Sequence, residues 1–140
     1  MSILSEHILR AIEDEHRDLY EQLGELMALV DNDAEIPDLS AWAARLRGEL
    51  HHLSPRLERH FQREERHFRL LAGDRPALAP EFDVLTAEHE GFRQTMASLF
   101  ERALGPEESL REDIQRRLID FSAAVSDHER REMELLRQLR

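Results

Sequence analysis

The sequence predicts an all-α protein that folds as an up-down-up-down, antiparallel four-helix bundle. Leu, Glu, Arg and Ala are abundant, and aromatic and β-branched residues are few, which favours helix over strand. Helix-breaking residues cluster at 31–38, 73–80 and 105–106, and they divide the chain into four long segments. Within each segment apolar residues recur every three or four positions, which is the helical period. Because short loops connect long helices, consecutive helices are expected to be antiparallel neighbours.

The first two helices carry apolar stripes with polar interruptions. The first helix is predicted from about residue 5 to residue 30, and His16 interrupts its stripe. The second is predicted from about residue 38 to residue 71, with Asp38 as N-cap and with His60 and Glu64 interrupting the stripe. Pro55 lies inside this segment, but the stripe keeps its phase across it. We therefore expect one continuous helix that is kinked at the proline.

The last two helices repeat this pattern. The third is predicted from about residue 81 to residue 104, and His89 interrupts its stripe. The fourth is predicted from about residue 107 to residue 139, and His128 and Glu132 interrupt its stripe. Gly73 and Gly105 lie where the second and third helices are expected to end.

Bulk composition restricts the class of function. The length of 140 residues suits one domain, residues 1–140, with its own hydrophobic core. The chain has no cysteine, which excludes disulfides, iron–sulfur clusters and thiolate zinc sites and is compatible with the reducing cytoplasm, where we expect the protein. The formal net charge of −11 argues against nucleic acid or an anionic membrane surface as a partner. We also expect no membrane-spanning segment and no signal peptide.

The polar interruptions are expected to meet at one depth in the bundle. Counted from the helix ends on one side, they lie about 8 to 11 residues deep, and at 1.5 Å per residue these depths agree within about one turn. That level lies nearer the end that holds the second loop and both termini. Unrelated surface histidines would not be expected to match in both helical phase and depth.

Histidine and carboxylate side chains at one level predict a metal site, because they bind metal ions through nitrogen and oxygen. Residues four apart share a helical face, so both members of each His-x-x-x-Glu pair can reach one centre, and a carboxylate can bridge two ions. No Lys or Arg lies on the stripes, so a cation would neutralise the buried carboxylates. Nitrogen and oxygen ligation suits iron or manganese, with zinc as an alternative. The candidate metal ligands are His16, His60, Glu64, His89, His128 and Glu132.

Six further residues are of secondary interest. His67 follows Glu64 at the Glu-x-x-His spacing of ferritin-like di-iron helices, so it could be a spare ligand or a hydrogen-bond donor to a ligand, although we expect a partly exposed boundary residue. Tyr20 lies one turn from His16 and could hydrogen-bond near a metal. Gly91 could admit a neighbouring backbone. We expect the remaining histidines to be solvated; they are His7, His51 and His52.

The chain resembles the hemerythrin-like (HHE cation-binding) family over nearly its whole length. The matching stretches are EHRDL at 15–19, HFQREE at 60–65, EH at 88–89 and HERRE at 128–132. The resemblance implies a left-handed bundle with a non-heme centre of two iron ions joined by an oxo or hydroxo group. It further implies that Glu64 and Glu132 bridge the irons and that the four histidines are terminal ligands. Proteins of this family bind dioxygen reversibly or sense oxygen, iron or redox state, and some handle nitric oxide or peroxide.

The chain departs from the oxygen-carrying members of that family at the third helix. Those carriers place two histidines one turn apart there, whereas here His89 is followed at that spacing by Arg93 and preceded by Leu85. The fourth helix also has Glu132 where carriers have an aspartate at a slightly different spacing. Both features resemble the variant branch of the family. They predict an open coordination position that favours water, or chemistry with oxygen or peroxide.

Three classes of function remain open from the sequence. The first is a di-iron protein that binds or senses dioxygen or a similar small ligand, redox state or iron. The second is an enzyme such as a di-iron oxidase or peroxidase, and the third is a helical module for a protein partner with a degenerate or zinc-occupied site. No nucleophile constellation or phosphate-binding loop is present, so we rank the metal- and oxygen-binding protein above the enzyme.

Overall fold

The computed structural model describes residues 3–31, 38–104 and 110–139, and these residues form four long α helices. Each helix packs against the helix that precedes or follows it in the chain, and the first also packs against the fourth, which closes the bundle. The all-α four-helix prediction is therefore confirmed. The helices are α1 (Ile3–Asp31), α2 (Leu39–Asp74), α3 (Ala79–Ala103) and α4 (Leu110–Arg137), with a short 3₁₀ helix at Pro76–Leu78.

Contacts near one end of the bundle show that chain neighbours are antiparallel. Trp42, early in α2, donates its indole N–H to the carbonyl oxygen of Leu29, late in α1, at 3.3 Å. Arg102, late in α3, pairs with Asp113, early in α4, at 2.6 Å. The end of one helix thus lies beside the start of the next, as the predicted up-down-up-down order requires.

Helix α2 is the longest element, with 36 residues, and it runs through Pro55 without interruption. Leu53 and Leu57, on either side of the proline, are both buried, so the apolar face keeps its phase. The prediction of one continuous helix is confirmed. The predicted N-cap is also correct, because the Asp38 carboxylate accepts a hydrogen bond from the amide N–H of Ser40 at 3.0 Å.

The core consists of two apolar clusters with a band of polar side chains between them. The large apolar cluster surrounds Trp42, Leu99 and Ile114. The small apolar cluster surrounds Phe68 and Phe82, near the α2–α3 connection and the chain termini. We call the buried polar and charged residues of the described chain the polar layer; they are His16, His60, Glu64, His89, His128, Glu129 and Glu132.

The buried faces of α1 and α4 are wider than a single stripe. Met27, which follows the buried Leu23 at the helical spacing of four, is only partly buried, and the neighbouring Leu26 is buried instead. Glu129 and Leu136 on α4 are also buried, beside the buried His128 and Leu135. A helix that contacts two neighbours buries positions beyond the narrow a/d seam, which explains the difference. None of the described helices combines the length and apolarity that a membrane span requires.

Candidate metal centre

All six predicted ligands lie in the polar layer. Because helices run alternately up and down, residues from the middle of each helix meet at one level, and the i, i+4 pairs on α2 and α4 place two side chains each on the inner face. No member of the set exposes more than 6% of its surface. Helix α1 contributes His16, α2 contributes His60 and Glu64, α3 contributes His89, and α4 contributes His128 and Glu132.

Glu64 contacts a histidine from every helix of the bundle. Its Oε1 atom lies 3.0 Å from Nε2 of His89 and 3.2 Å from Nε2 of His60. The same oxygen lies 3.8 Å from Nε2 of His128, and Oε2 lies 3.5 Å from Nε2 of His16. One fully buried carboxylate therefore stands at the centre of all four imidazoles.

Glu132 is the second carboxylate between the histidines. Its Oε2 atom lies 3.5 Å from Nε2 of His16 and 3.8 Å from Nε2 of His128. The imidazoles themselves form two pairs, with ring centroids 5.2 Å apart for His16 and His60 and 5.0 Å apart for His89 and His128. Glu132 thus contacts one member of each pair, and Glu64 contacts both members of each.

The donor atoms of the polar layer fit a cation. Within the described residues, Nε2 of His16, His60 and His128 and both Glu132 oxygens have no partner in hydrogen-bond geometry. Leaving a buried polar atom unpartnered costs about 1–3 kcal/mol, so a cluster of such atoms needs a compensating ligand. Two trios, His16–Glu64–Glu132 and Glu64–His89–His128, each bring their ligand atoms within 4.8 Å of one another. Glu64 belongs to both trios, as a carboxylate between two ions would.

His60 is held from the outer side of the bundle by a carboxylate on α1. Its Nδ1 atom lies 2.8 Å from Oε2 of Glu15, and Arg63 donates a hydrogen bond to the other oxygen of that carboxylate. Donation from Nδ1–H fixes the ring orientation and leaves Nε2 as the atom that faces the polar layer. This carboxylate–histidine arrangement is the usual support of a metal-ligating imidazole.

His128 has the same support on the opposite side of the bundle. Its Nδ1 atom lies 2.7 Å from Oε1 of Glu88, and Arg131 donates to both oxygens of that glutamate at 2.8 and 2.7 Å. His89 has a looser version, because its Nδ1 atom lies 3.6 Å from Oε1 of Glu65. The outer carboxylates of Glu15 and Glu88 therefore orient two histidines, whereas Nδ1 of His89 has no hydrogen-bond partner among the described residues.

Arg93 stands where the third helix lacks a second histidine, and its side chain leaves the polar layer. It donates to Glu58 at 2.8 Å and lies 3.3 Å from Glu65, with its guanidinium 5.6 Å from the centroid of the Phe61 ring. Leu85, one turn before His89, belongs to the small apolar cluster. Helix α3 thus brings only one histidine into the layer, as the sequence predicts.

Aromatic rings enclose the His89 and His128 pair. The Phe61 ring stacks on His89 with centroids 4.3 Å apart, and Phe92 meets His128 edge-on at 5.3 Å. The Phe68 ring lies nearly parallel to His89, with centroids 6.4 Å apart. These walls restrict the access of water to this pair and lower the local dielectric.

The His16 and His60 pair lies nearer the surface. His16 lines a surface pocket of about 510 Å³ on the α1–α4 face, together with Tyr20 and Met133. His60 lines a second pocket of about 390 Å³ on the α1–α2 face, beside Glu15. The two histidine pairs therefore have different surroundings, one open to pockets and the other walled by aromatic rings.

Glu129 is a member of the polar layer that the sequence reasoning missed. It is only 3% exposed, and its Oε2 atom has no hydrogen-bond partner among the described residues. Its ligand atom lies within 4.8 Å of those of His16 and His60. The spacing carried a signal, because Glu129 follows the buried Val125 by four positions and precedes Glu132 by three.

Burial and mutual contact shift the pKa values of the two central carboxylates in opposite directions. Burial and the negative charge of Glu64 raise the pKa of Glu132 well above its ordinary value. Burial also opposes ionisation of Glu64, but its contacts with Glu132 and the histidines outweigh burial and hold its pKa well below the ordinary value. Two buried carboxylates in contact repel each other when both are ionised, and a positive charge between them relieves that repulsion.

The histidines of the surface pair bind protons tightly in the absence of metal. Burial lowers the pKa of His16, but contacts with Glu132 and Glu64 outweigh it and raise the pKa to about 10. Burial likewise opposes protonation of His60, and contacts with Glu15 and Glu64 raise its pKa to about 9. A metal ion would have to displace these protons, since both occupy the same nitrogens.

The secondary predictions have mixed outcomes. His67 is half-buried, burial lowers its pKa, and it belongs to none of the ligand trios of the described chain, in agreement with a boundary residue. His7, His51 and His52 are exposed, as expected. The expectation for Gly91 is wrong, because a Cβ atom there would meet nothing within 4 Å.

A four-helix bundle with a buried layer of histidines and glutamates defines a helical metal-binding protein. Comparison with protein families matches residues 7–139 to the Hemerythrin HHE cation binding domain. The match covers nearly the whole chain, so the protein belongs to the hemerythrin HHE cation-binding family. Searches of curated proteins and of solved structures found no significant match.

Proposed function

We propose that this protein is a non-heme di-iron protein that binds or senses dioxygen, or responds to redox state or iron. The observation that carries the proposal is the position of Glu64 and Glu132, each of which contacts histidines of both pairs. A carboxylate with two oxygens between two imidazole pairs is suited to bridge two ions. His16 and His60 would hold one ion, and the other histidine pair would hold the second.

Iron is the metal we favour. The donors are imidazole nitrogens and carboxylate oxygens without thiolate, a set that suits iron or manganese, with zinc as an alternative. When bound, iron supplies redox chemistry and affinity for dioxygen. The chain supplies oriented imidazoles, two carboxylates that balance the charge of the ions, and walls that restrict water.

The small ligand is expected at the position between His89 and His128. Helix α3 contributes one histidine there, so this position has fewer protein donors than a full coordination shell requires. Phe61 and Phe92 border it. A dry position that lacks a protein donor suits a small, weakly polar molecule such as dioxygen.

The proposal is tested by anaerobic loading of the metal-free protein with ferrous iron, removal of unbound metal, and elemental analysis. We expect about two iron ions per chain, as in di-iron helical bundles. Exposure to air should then produce the near-ultraviolet and visible absorption of a bridged diferric centre. Less than about one tightly bound ion per chain, or no change in absorption, contradicts the proposal.

A di-iron oxidase or peroxidase is the second candidate, favoured by the single histidine that α3 contributes. The discriminating measurement mixes the ferrous protein with oxygen or peroxide in the presence of excess reductant. Sustained consumption of the reductant supports an enzyme, whereas one oxidation per centre supports a binding or sensing protein. Isolation of the protein with zinc alone would instead favour an interaction module.

We further propose a cytoplasmic location and no nucleic-acid or membrane partner. The absence of cysteine is compatible with a reducing compartment, and the net charge of −11 opposes binding to phosphate-rich surfaces. A protein partner that receives a signal remains part of the proposal. Cell fractionation would test the location and the absence of a membrane partner, and measurement of binding to DNA at low salt would test the absence of a nucleic-acid partner.

A further inference from the structure

Glu129 is a buried acid that the proposed ligand set does not use. It lies on α4 between His128 and Glu132, and 97% of its surface is removed from solvent. Its Oε2 atom meets no hydrogen-bond donor of the described chain. A carboxylate is almost never buried without a partner, so this oxygen needs a proton or a cation.

One carboxylate oxygen of Glu129 lies beside one half of the polar layer. Its ligand atom and those of His16 and His60 all lie within 4.8 Å of one another. The ligand trio on the other half consists of Glu64, His89 and His128, with the central carboxylate as its only acid. The surface pair thus has a carboxylate of its own in addition to the two that lie between the pairs.

Tyr20 supports this carboxylate from α1. Its hydroxyl group interacts with Glu129. Burial raises the pKa of this acid above its ordinary value, and the nearby His16 and the Tyr20 hydroxyl act in the opposite direction. Tyr20 is 46% exposed and lines the surface pocket beside His16. The tyrosine that contacts Glu129 thus also lines the pocket, so this acid lies on the side of the polar layer that the pocket borders.

We propose that Glu129 is a third terminal ligand of the ion held by His16 and His60, which makes the two metal positions unequal. This inference rests on the proposed two-metal function. The surface ion would have three terminal protein ligands, and the ion at His89 and His128 would have two. The carboxylate that α4 adds on one side has no counterpart on the other, so the open position belongs to the ion inside the aromatic walls.

The experiment titrates the metal-free protein and its Glu129→Gln variant with Co²⁺, followed by visible absorption, and with Fe²⁺ under anaerobic conditions. Glutamine keeps the size of the side chain and removes its charge. We expect the variant to bind one ion as the unmodified protein does and the other at least about tenfold more weakly, with a changed cobalt spectrum at that position. Glu134→Gln, an exposed change on the same helix, should leave both affinities unchanged.

A double-mutant cycle assigns the affected ion. Glu129→Gln combined with His16→Ala should cost less than the sum of the two changes, because both remove ligands of the same ion. Combination with His89→Ala should be additive.

If the unmodified protein binds two ions and Glu129→Gln leaves both affinities and the cobalt spectrum unchanged, the inference about Glu129 is wrong and the two-metal function stands. If the unmodified protein itself fails to bind two ions, the two-metal function is wrong. Circular dichroism of each metal-free variant checks that its helices are retained.

Discussion

The two histidine pairs of the polar layer share the same central carboxylates but differ in their surroundings. His16 and His60 border surface pockets and have Glu129 beside them. His89 and His128 are packed against phenylalanine rings and have no acid of their own in the layer beyond those at the centre. The pair near the solvent thus has more potential ligand side chains than the pair that the phenylalanine rings enclose.

This difference bears on how a bundle can keep a coordination position free. An open position next to solvent would be filled by water, whereas the same gap behind aromatic walls is available to a small ligand that can diffuse through the packing. The pair nearer the surface is instead supplied with an additional carboxylate. Under the proposed two-metal function, the asymmetry would give one ion a structural role and the other a reactive role, and each prediction below tests part of that division.

The largest effect is expected at Glu64, because it is the side chain that both pairs share. Glu64→Gln removes the charge that contacts all four histidines, and we expect the iron content to fall from about two ions per chain to near none. Elemental analysis after anaerobic loading measures the effect, with Glu134→Gln as the matched control. Retention of one ion would show that the two pairs are more independent than the geometry indicates.

The next effect is a pH dependence of opposite sign in the metal-free and the loaded protein. The pKa values of His16 and His60 are raised from the ordinary 6.5 to about 10 and about 9. A raised pKa stabilises the fold below the unfolded value of 6.5, and that contribution is lost as the pH rises through about 9 and 10. The raised pKa of Glu132 acts in the same direction. Between the ordinary and the raised pKa, each histidine can change the free energy of unfolding by up to about 1.4 kcal/mol per pH unit.

The loaded protein should behave in the opposite way, because protons compete with the metal for the same nitrogens. Its melting temperature should fall as the medium becomes acidic, while that of the metal-free protein should fall as it becomes alkaline. Thermal melts with and without chelator across the range from acid to alkaline pH test both statements. The same direction of change in the two forms would contradict the assignment of these histidines as ligands.

A smaller effect is expected from the carboxylates that orient the histidines from outside. Glu15→Gln acts on His60, and Glu88→Gln acts on His128. Loss of such a support typically weakens metal binding about 10–100-fold. We expect Glu88→Gln to have the larger effect, because its ion has fewer terminal ligands to compensate. Metal titration of both variants decides the order, with the exposed Glu25→Gln on α1 as control, and an equal or reversed order would argue against unequal positions.

Local sequence periodicity was sufficient to predict the helices and the level of the polar layer. The spacing of His60 and Glu64, and of His128 and Glu132, fixes which side chains share an inner face. Because the helices are antiparallel and of similar length, the polar side chains of all four then lie at one depth in the bundle. These are properties of single helices and of their order, which the sequence contains directly.

The remaining features depend on which neighbour lies beside each helix. Glu129 is buried because α1 brings His16 and Tyr20 against the flank of α4, and periodicity along one helix does not contain that contact. Arg93 turns away from the layer because α2 offers it two glutamates and an aromatic ring. Leu26 is buried more fully than Met27 for the same reason, because packing on two sides sets the width of the buried face.

The smallest effect is expected at Gly91, which lies on α3 two residues after His89 and faces open space. Alanine there should stabilise the helix by about 0.5–1 kcal/mol, because glycine loses more conformational entropy on folding and an added Cβ meets no neighbour. Urea unfolding of the metal-free protein measures this gain. Metal affinity should be unchanged, because the substitution touches neither the aromatic walls nor a histidine support. If Gly91→Ala weakened the binding of one ion, the ligand-poor half of the layer would depend on the flexibility of α3 rather than on its walls.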